Sequence, residues 1–192
     1  CLSNDCLLML AELMDSIDQS WTLFLDRDGV INVRIENDYV KTPDEFIFLP
    51  GAKEAIVRLS KAFGRIVVVT NQQGIGKGLY TSDDLSLIHN KMLGEIQLAG
   101  GKIDAVYFAP QLQSENSPMR KPGIGMALAA AEKYPEINFS RCIMVGDTAS
   151  DMEFARNAGM RAVLCTPIKT DVPCDMHCCS LQEFALYIPT VK

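Results

Sequence analysis

The chain has 192 residues, 48% of them apolar, enough for one domain that buries about 70% of its unfolded surface without an external staple. Its formal charge of −6 argues against nucleic acid as the main partner, because duplex binding needs a basic face. Seven scattered cysteines form no disulfide framework and no apolar run is long enough to span a membrane, so neither a secreted scaffold nor a membrane partner is expected, and a reducing cytoplasm is the expected home.

At the N-terminus, Leu7, Leu10, Met14 and Ile17 recur at helical spacing, which predicts an amphipathic helix over residues 1–20 ahead of a main domain over 21–192. Leu7-Leu8-Met9-Leu10 has acidic flanks and no small-residue cleavage site, which makes it a poor signal peptide. The helix is expected to pack on the core or to pair two copies, giving a monomer or a homodimer. Thr22-Leu23-Phe24-Leu25 then predicts a buried strand, and Asp26-Arg27-Asp28-Gly29 follows it. Residues i and i+2 of a strand point the same way, so both carboxylates can face one cavity, where they invite a metal ion. Taken alone, Asp and Gly after a strand also suit a plain turn.

Residues 30–48 mix polar and apolar side chains around Pro43 and predict an extended flap. Ala52, Ala55, Ile56, Leu59 and Phe63 predict a helix, and Arg65-Ile66-Val67-Val68-Val69 predicts a strand ending in Thr70-Asn71. Ser82 is expected to cap the next helix, with Asp83 and Asp84 in its first turn and Leu85, Ile88, Met92 and Ile96 on one face. His89, on that helix, is expected to be a surface or packing residue. Residues 103–108 predict a strand and 110–120 a polar loop, after which Pro122 suits the first position of a helix running through Tyr134.

Ile143-Met144-Val145 predicts a strand ending in Gly146-Asp147; Ala149–Ala158 predicts a helix closed by Gly159, and residues 161–164 another strand. The stretch from Cys174 to Cys179 lacks the second spaced pair of a zinc site and is expected to be a reduced, partly exposed tail. Ser180 and Glu183 form a capping-box pattern for a last short helix containing Phe184, Leu186 and Ile188. Strands alternating with helices mean an α/β, doubly wound parallel sheet covered on both faces, and the interval from Gly29 to Lys121 leaves no room for a large cap domain. Ligands of such sheets bind outside the carboxyl ends of the strands, where Asp26, Thr70 and Asp147 all fall.

A phosphate ester suits this set of groups. Its hydrolysis needs a nucleophile, a cation to neutralise phosphoryl oxygens, donors for the transferring group and an acid for the leaving oxygen. Asp26 can attack phosphorus to form an aspartyl-phosphate, and Asp28 can protonate the leaving alkoxide and then activate water. Asp26, Asp28 through a backbone carbonyl, and Asp147 would supply oxygen ligands to Mg²⁺, with Asp151 as a supporting or metal-side carboxylate. The Thr70 hydroxyl and nearby amides can bind phosphoryl oxygens, and Lys121 supplies a fixed positive charge.

Together, Asp26-x-Asp28, Thr70-Asn71, Lys121-Pro122 and Gly146-Asp147-x-x-x-Asp151 resemble the ordered motifs of the haloacid dehalogenase (HAD) superfamily, from about Thr22 to Leu164. The resemblance implies a doubly wound, Rossmann-like HAD sheet, Asp26 as nucleophile, Asp28 as general acid and base, Thr70 and Lys121 as phosphate binders, and Asp147 as a magnesium ligand. Within the superfamily, Phe24 to Asn32, Thr70 to Ile75 and Arg120-Lys121-Pro122 are similar to the heptose bisphosphate and histidinol-phosphate phosphatases. That similarity implies a small phosphorylated sugar as substrate, heptose 1,7-bisphosphate first and histidinol phosphate as the rival. It also implies Asp38-Tyr39-Val40 as the substrate loop and Arg120 as the recognition arginine, with Asn71 and Arg34 beside them. Members commonly hold zinc with cysteines and a histidine before Arg-Lys-Pro, but residues 109–119 contain neither, so no zinc is expected. A lysine often follows the metal-binding aspartate in that group, and here the position is Thr148.

Rival readings fare less well. Gly74-Ile75-Gly76-Lys77-Gly78 lacks the glycine spacing and the Ser or Thr of a nucleotide P-loop. A receiver-type signalling domain would carry its phosphorylated aspartate on a middle strand, not after the first. A catalytically silent interaction domain would tend to lose the nucleophile or the acid, and both are present. With His89 and His177 the only histidines, serine hydrolase chemistry has little to work with.

Overall fold

The computed structural model describes residues 14–189. Its six strands are β1 (Thr22–Leu25), β2 (Arg65–Asn71), β3 (Ala105–Ala109), β4 (Cys142–Gly146), β5 (Arg161–Cys165) and β6 (Met176–Cys178). They form one sheet in the order β3-β2-β1-β4-β5-β6, and every pairing is parallel. Helices α1 (Ala52–Ala62), α2 (Gln73–Gly76), α3 (Ser82–Leu98), α4 (Gly125–Lys133), α5 (Ala149–Ala158) and α6 (Leu181–Tyr187) complete the α/β fold.

The period-2 alternation of the strands sorts their side chains into two cores. Leu23, Leu25, Ile66, Val68, Ile143 and Val145 enter the core shared with α1, α3 and α6, whereas Phe24, Val67, Val69, Cys142 and Met144 enter the one shared with α4 and α5. Both faces of the sheet are therefore covered. Met14 and Ile17, 5% and 8% exposed, join the first core, while Leu7 and Leu10 lie outside the described residues.

Four elements depart from the sequence expectation. Thr81, not Ser82, caps α3: its hydroxyl accepts from the Asp84 amide at 3.1 Å while the Asp84 carboxylate accepts from the Thr81 amide at 2.8 Å. The reciprocal pair needs a three-residue spacing, which Thr81 has and Ser82 lacks. The helix after Lys121-Pro122 begins only at Gly125, because the Lys121 carbonyl accepts from the Asn71 side chain at 3.1 Å and residues 118–125 close into turns instead. Strand β3 starts at Ala105, since the Asp104 carboxylate takes the Ile66 amide at 2.8 Å and ends the ladder there. The cysteine tail contains β6, with Met176 and Cys178 buried and His177 exposed, a strand too short to announce itself by periodicity.

Candidate active site

Strands β2, β1 and β4 are adjacent, so their carboxyl ends bring Thr70, Asp26 and Asp147 to one edge of the sheet. A cavity of about 430 Å³ opens there, lined among others by Asp26, Asp28, Arg34, Thr70, Lys121 and Asp151. Asp26 extends β1 by one bond, its amide donating to the Val145 carbonyl at 2.9 Å, and the residue is 6% exposed. One carboxylate oxygen takes the Arg27 amide at 2.7 Å and the Lys121 ammonium at 2.9 Å.

Lys121 is 3% exposed; its ammonium donates to the Val69 carbonyl at 2.8 Å and is ion-paired with Asp26 Oδ1 at 2.9 Å and Asp151 Oδ1 at 2.6 Å. Its backbone is fixed by Asn71, whose carboxamide accepts the Lys121 amide at 3.0 Å and donates to the Lys121 carbonyl. Asn71, expected among the substrate binders, thus lines the cavity with its side chain spent on Lys121. Asp151, fully buried at the start of α5, accepts from the Thr148 hydroxyl at 2.5 Å and the Thr148 amide at 3.0 Å.

Side-chain oxygens of Asp26, Asp147 and Asp151 lie within 4.8 Å of one another, a spacing that one cation can bridge. The Asp28 side chain does not join them, being held by Arg27, Asn32 and Gln72 at 2.8–2.9 Å; its backbone carbonyl does face the cluster. The Arg34 guanidinium marks the meeting point: one nitrogen lies 2.7 Å from Asp147 Oδ1, 2.8 Å from the Asp28 carbonyl and 3.8 Å from Asp26 Oδ2. These three oxygens converge on a positive charge, so the donor set fits a hard divalent ion such as Mg²⁺. Gly29 makes the approach possible, because at its φ of +92° a Cβ would stand 2.0 Å from Asp147 Oδ2.

Burial pushes the Asp26 carboxyl up to about 6, and the charges of Asp151 and Asp28 add to the effect of burial against the opposing charge of Lys121. Burial and the neighbouring Asp26 push Asp147 up to about 7, against Arg34. Asp28 behaves otherwise: burial alone would raise it, but the charge and hydrogen bonds of Arg27, with those of Asn32 and Gln72, hold it below the ordinary carboxylate range.

Toward the mouth, Tyr39 accepts from Lys77 at 3.0 Å, and Arg120 has a guanidinium nitrogen, Nη1, without a hydrogen-bond partner among the described residues. Sequence reasoning overlooked Arg27, Gln72 and Lys77, and did not foresee Arg34 on the carboxylates. Gln72 had a signal, since it stands two residues after Thr70 and so shares its face; Arg34 had none, because its partner Asp147 is 113 positions away.

The family model described as HAD-hydrolase-like matches residues 118–172. The D-glycero-α-D-manno-heptose-1,7-bisphosphate 7-phosphatase of Mycobacterium tuberculosis is 37% identical over 173 residues, covering 88% of this chain and 91% of that protein. The corresponding β-anomer phosphatase of Bordetella bronchiseptica is 38% identical over 71% of this chain and 75% of that protein. The crystal structure of D,D-heptose 1,7-bisphosphate phosphatase from B. bronchiseptica, complexed with magnesium and phosphate, superposes with a TM-score of 0.79 at 33% identity, covering 86% of this chain and 96% of that one. The superfamily resemblance and the fold class read from the motifs are thereby borne out, and the chain belongs to the HAD-like hydrolases, in the family of these heptose bisphosphate phosphatases.

Proposed function

We propose that the chain removes the 7-phosphate of D-glycero-D-manno-heptose 1,7-bisphosphate, with magnesium and through an aspartyl-phosphate on Asp26. The observation that carries this reading is the Asp26 carboxylate lining the cavity, with Lys121 on one oxygen and carboxylate oxygens of Asp147 and Asp151 within 4.8 Å. The names of the relatives supply the substrate class. A magnesium ion held by Asp26, the Asp28 carbonyl and Asp147 would neutralise phosphoryl oxygens and relieve their repulsion of the nucleophile. Thr70 and Lys121 hold the transferring group while Asp26 attacks phosphorus. The P–O bond to the sugar breaks, and the leaving oxygen takes the proton of Asp28.

Asp28 starts as a carboxylate, and the negative phosphoryl group arriving beside it raises its proton affinity, so that it takes up a proton from solvent water as substrate binds and passes that proton to the leaving oxygen. In the second half it removes a proton from water, which attacks the aspartyl-phosphate and releases inorganic phosphate. The bisphosphate is favoured over histidinol phosphate by the charges at the mouth. An amine would need a free carboxylate at the mouth; of the two flap acids, Asp38 is paired with Lys41 at 2.7 Å and Glu36 is not among the residues lining the cavity, whereas the unpaired Arg120 donor suits a second phosphate. Zinc is not part of this proposal, because residues 109–119 offer neither cysteine nor histidine. A cytoplasmic location accords with five free cysteines among the described residues and with the absence there of a helix long and apolar enough to cross a membrane.

The test is steady-state kinetics on both anomers of heptose 1,7-bisphosphate and on histidinol phosphate with magnesium, beside Arg120→Ala. Loss of a charge-assisted contact predicts a fall in kcat/KM of about tenfold to a hundredfold on the bisphosphate and little change on histidinol phosphate. Preference for histidinol phosphate, or stoichiometric zinc by elemental analysis, would overturn the assignment.

A further inference from the structure

Beneath Asp28 lies a buried network that the steps above do not use. Arg27, wholly buried, places one nitrogen 2.9 Å from both Asp28 oxygens and the other 3.2 Å from His89 Nε2. An arginine can only donate, so His89 accepts and carries its proton on Nδ1. On the opposite side, the Gln72 nitrogen donates to Asp28 Oδ2 and to Thr70 Oγ1, both at 2.8 Å, while its oxygen accepts from the Tyr80 hydroxyl at 2.5 Å. Gln72 and Tyr80 are 1% and 6% exposed.

The Asp28 carboxylate, which can only accept, decides which way the carboxamide faces, and the phenol holds it there. With the Gln72 nitrogen turned to Asp28 and Thr70, its oxygen is left to take the Tyr80 hydroxyl; the flipped amide would set oxygen against carboxylate and give up the donor on Asp28 Oδ2 from this side. The ring reaches this place because residue 74 is glycine, where a Cβ would stand 2.2 Å from Tyr80 Cε1.

We propose that Gln72, oriented by Tyr80, is a positioning residue that locks the Asp28 carboxylate and the Thr70 hydroxyl into one unit, with Arg27 closing the other side. The acid and the phosphoryl donor then meet the substrate at a fixed separation, which is what proton delivery to the leaving oxygen requires. The inference rests on the aspartyl-phosphate reading and adds to it the residues that aim its acid.

Leaving-group dependence tests it. Nitrophenolate departs without a proton, whereas the sugar alkoxide needs one, and kcat/KM covers the chain of steps up to that departure. For Gln72→Met, kcat/KM on heptose 1,7-bisphosphate should fall about tenfold to a hundredfold, and on p-nitrophenyl phosphate by less than about threefold. Tyr80→Phe, which removes one oxygen and keeps the ring, should show the same bias more weakly, with a lowered melting temperature from the Gln72 oxygen it leaves unpaired. A merely structural role would lower both substrates by the same factor, so equal losses, or none, would overturn the proposal. Wild-type protein inert toward both phosphates would instead remove the phosphatase reading, and this inference with it.

Discussion

The reactivity proposed for Asp26 rests on neighbours held by buried contacts. Its two hydrogen-bond donors, Arg27 N and Lys121 Nζ, come from its own loop and from a buried side chain, and both engage the same oxygen. The other oxygen is left toward the cation site. Asp26→Asn should therefore reduce kcat by about 10⁴-fold or more, the scale seen when a covalent nucleophile is removed, with an unchanged far-UV circular dichroism spectrum. Retained turnover, or trapping of an acid-stable phosphoprotein in the variant, would place the nucleophile elsewhere. At this scale the sequence was readable wherever chemistry sits at a strand end. Asp26, Thr70 and Asp147 follow apolar runs directly, so their convergence needed only the rule that parallel sheets bind ligands at carboxyl ends. The Asp28 backbone carbonyl was legible as a candidate metal-side oxygen, but the reason its side chain stays away was not, because Gln72 reaches it from 44 positions along the chain.

Among elements, α1 and α5 match their predicted helices because apolar spacing and the Gly159 stop mark them plainly. Elements set by a remote partner could not be read: the turn at 118–125 depends on Asn71, and the start of β3 on a bond from Ile66. The N-terminal segment can be tested through its described end. Met14 lies in the larger core with 5% exposure, so Met14→Ala should cost about 2–5 kcal/mol in urea unfolding, the usual range for a buried methionine. An unchanged midpoint would mean that this segment contributes nothing to the core. In that case the predicted helix would be free for the alternative role of pairing two copies, which sedimentation of a protein lacking residues 1–19 would reveal.

For the molecule as a whole, the carboxylate cluster couples stability to pH and to metal. Asp26 and Asp147 have an ordinary value of 3.8 and are raised to about 6 and about 7 by burial and by like charge. Folded, metal-free protein therefore holds two carboxyl protons that the unfolded chain has already lost, and their contribution to stability falls as pH rises from about 4 through about 7, outweighing the single buried His89, which burial pushes down to about 3 and which works the opposite way. Thermal melts in EDTA should show a decline over that window, and saturating magnesium should flatten it, since an ion binding only the folded state stabilises it and balances the ionised carboxylates. A metal-free profile that rises with pH across the same window would show that the cluster does not behave as one charged unit.

Lys121 carries a consequence for the history of such a chain. Its ammonium joins the ends of β1 and β2 to the start of α5, and removing it would strand two buried carboxylates, a loss on the order of 3–5 kcal/mol and a large share of a domain's stability. A lineage released from selection for turnover could not shed this residue by drift without risking the fold, unless the aspartates changed with it. If Lys121 also cradles phosphate as proposed, cradle and structural rivet are the same side chain, and an inactive descendant would be expected to lose its surface arginines, such as Arg120, long before its buried lysine.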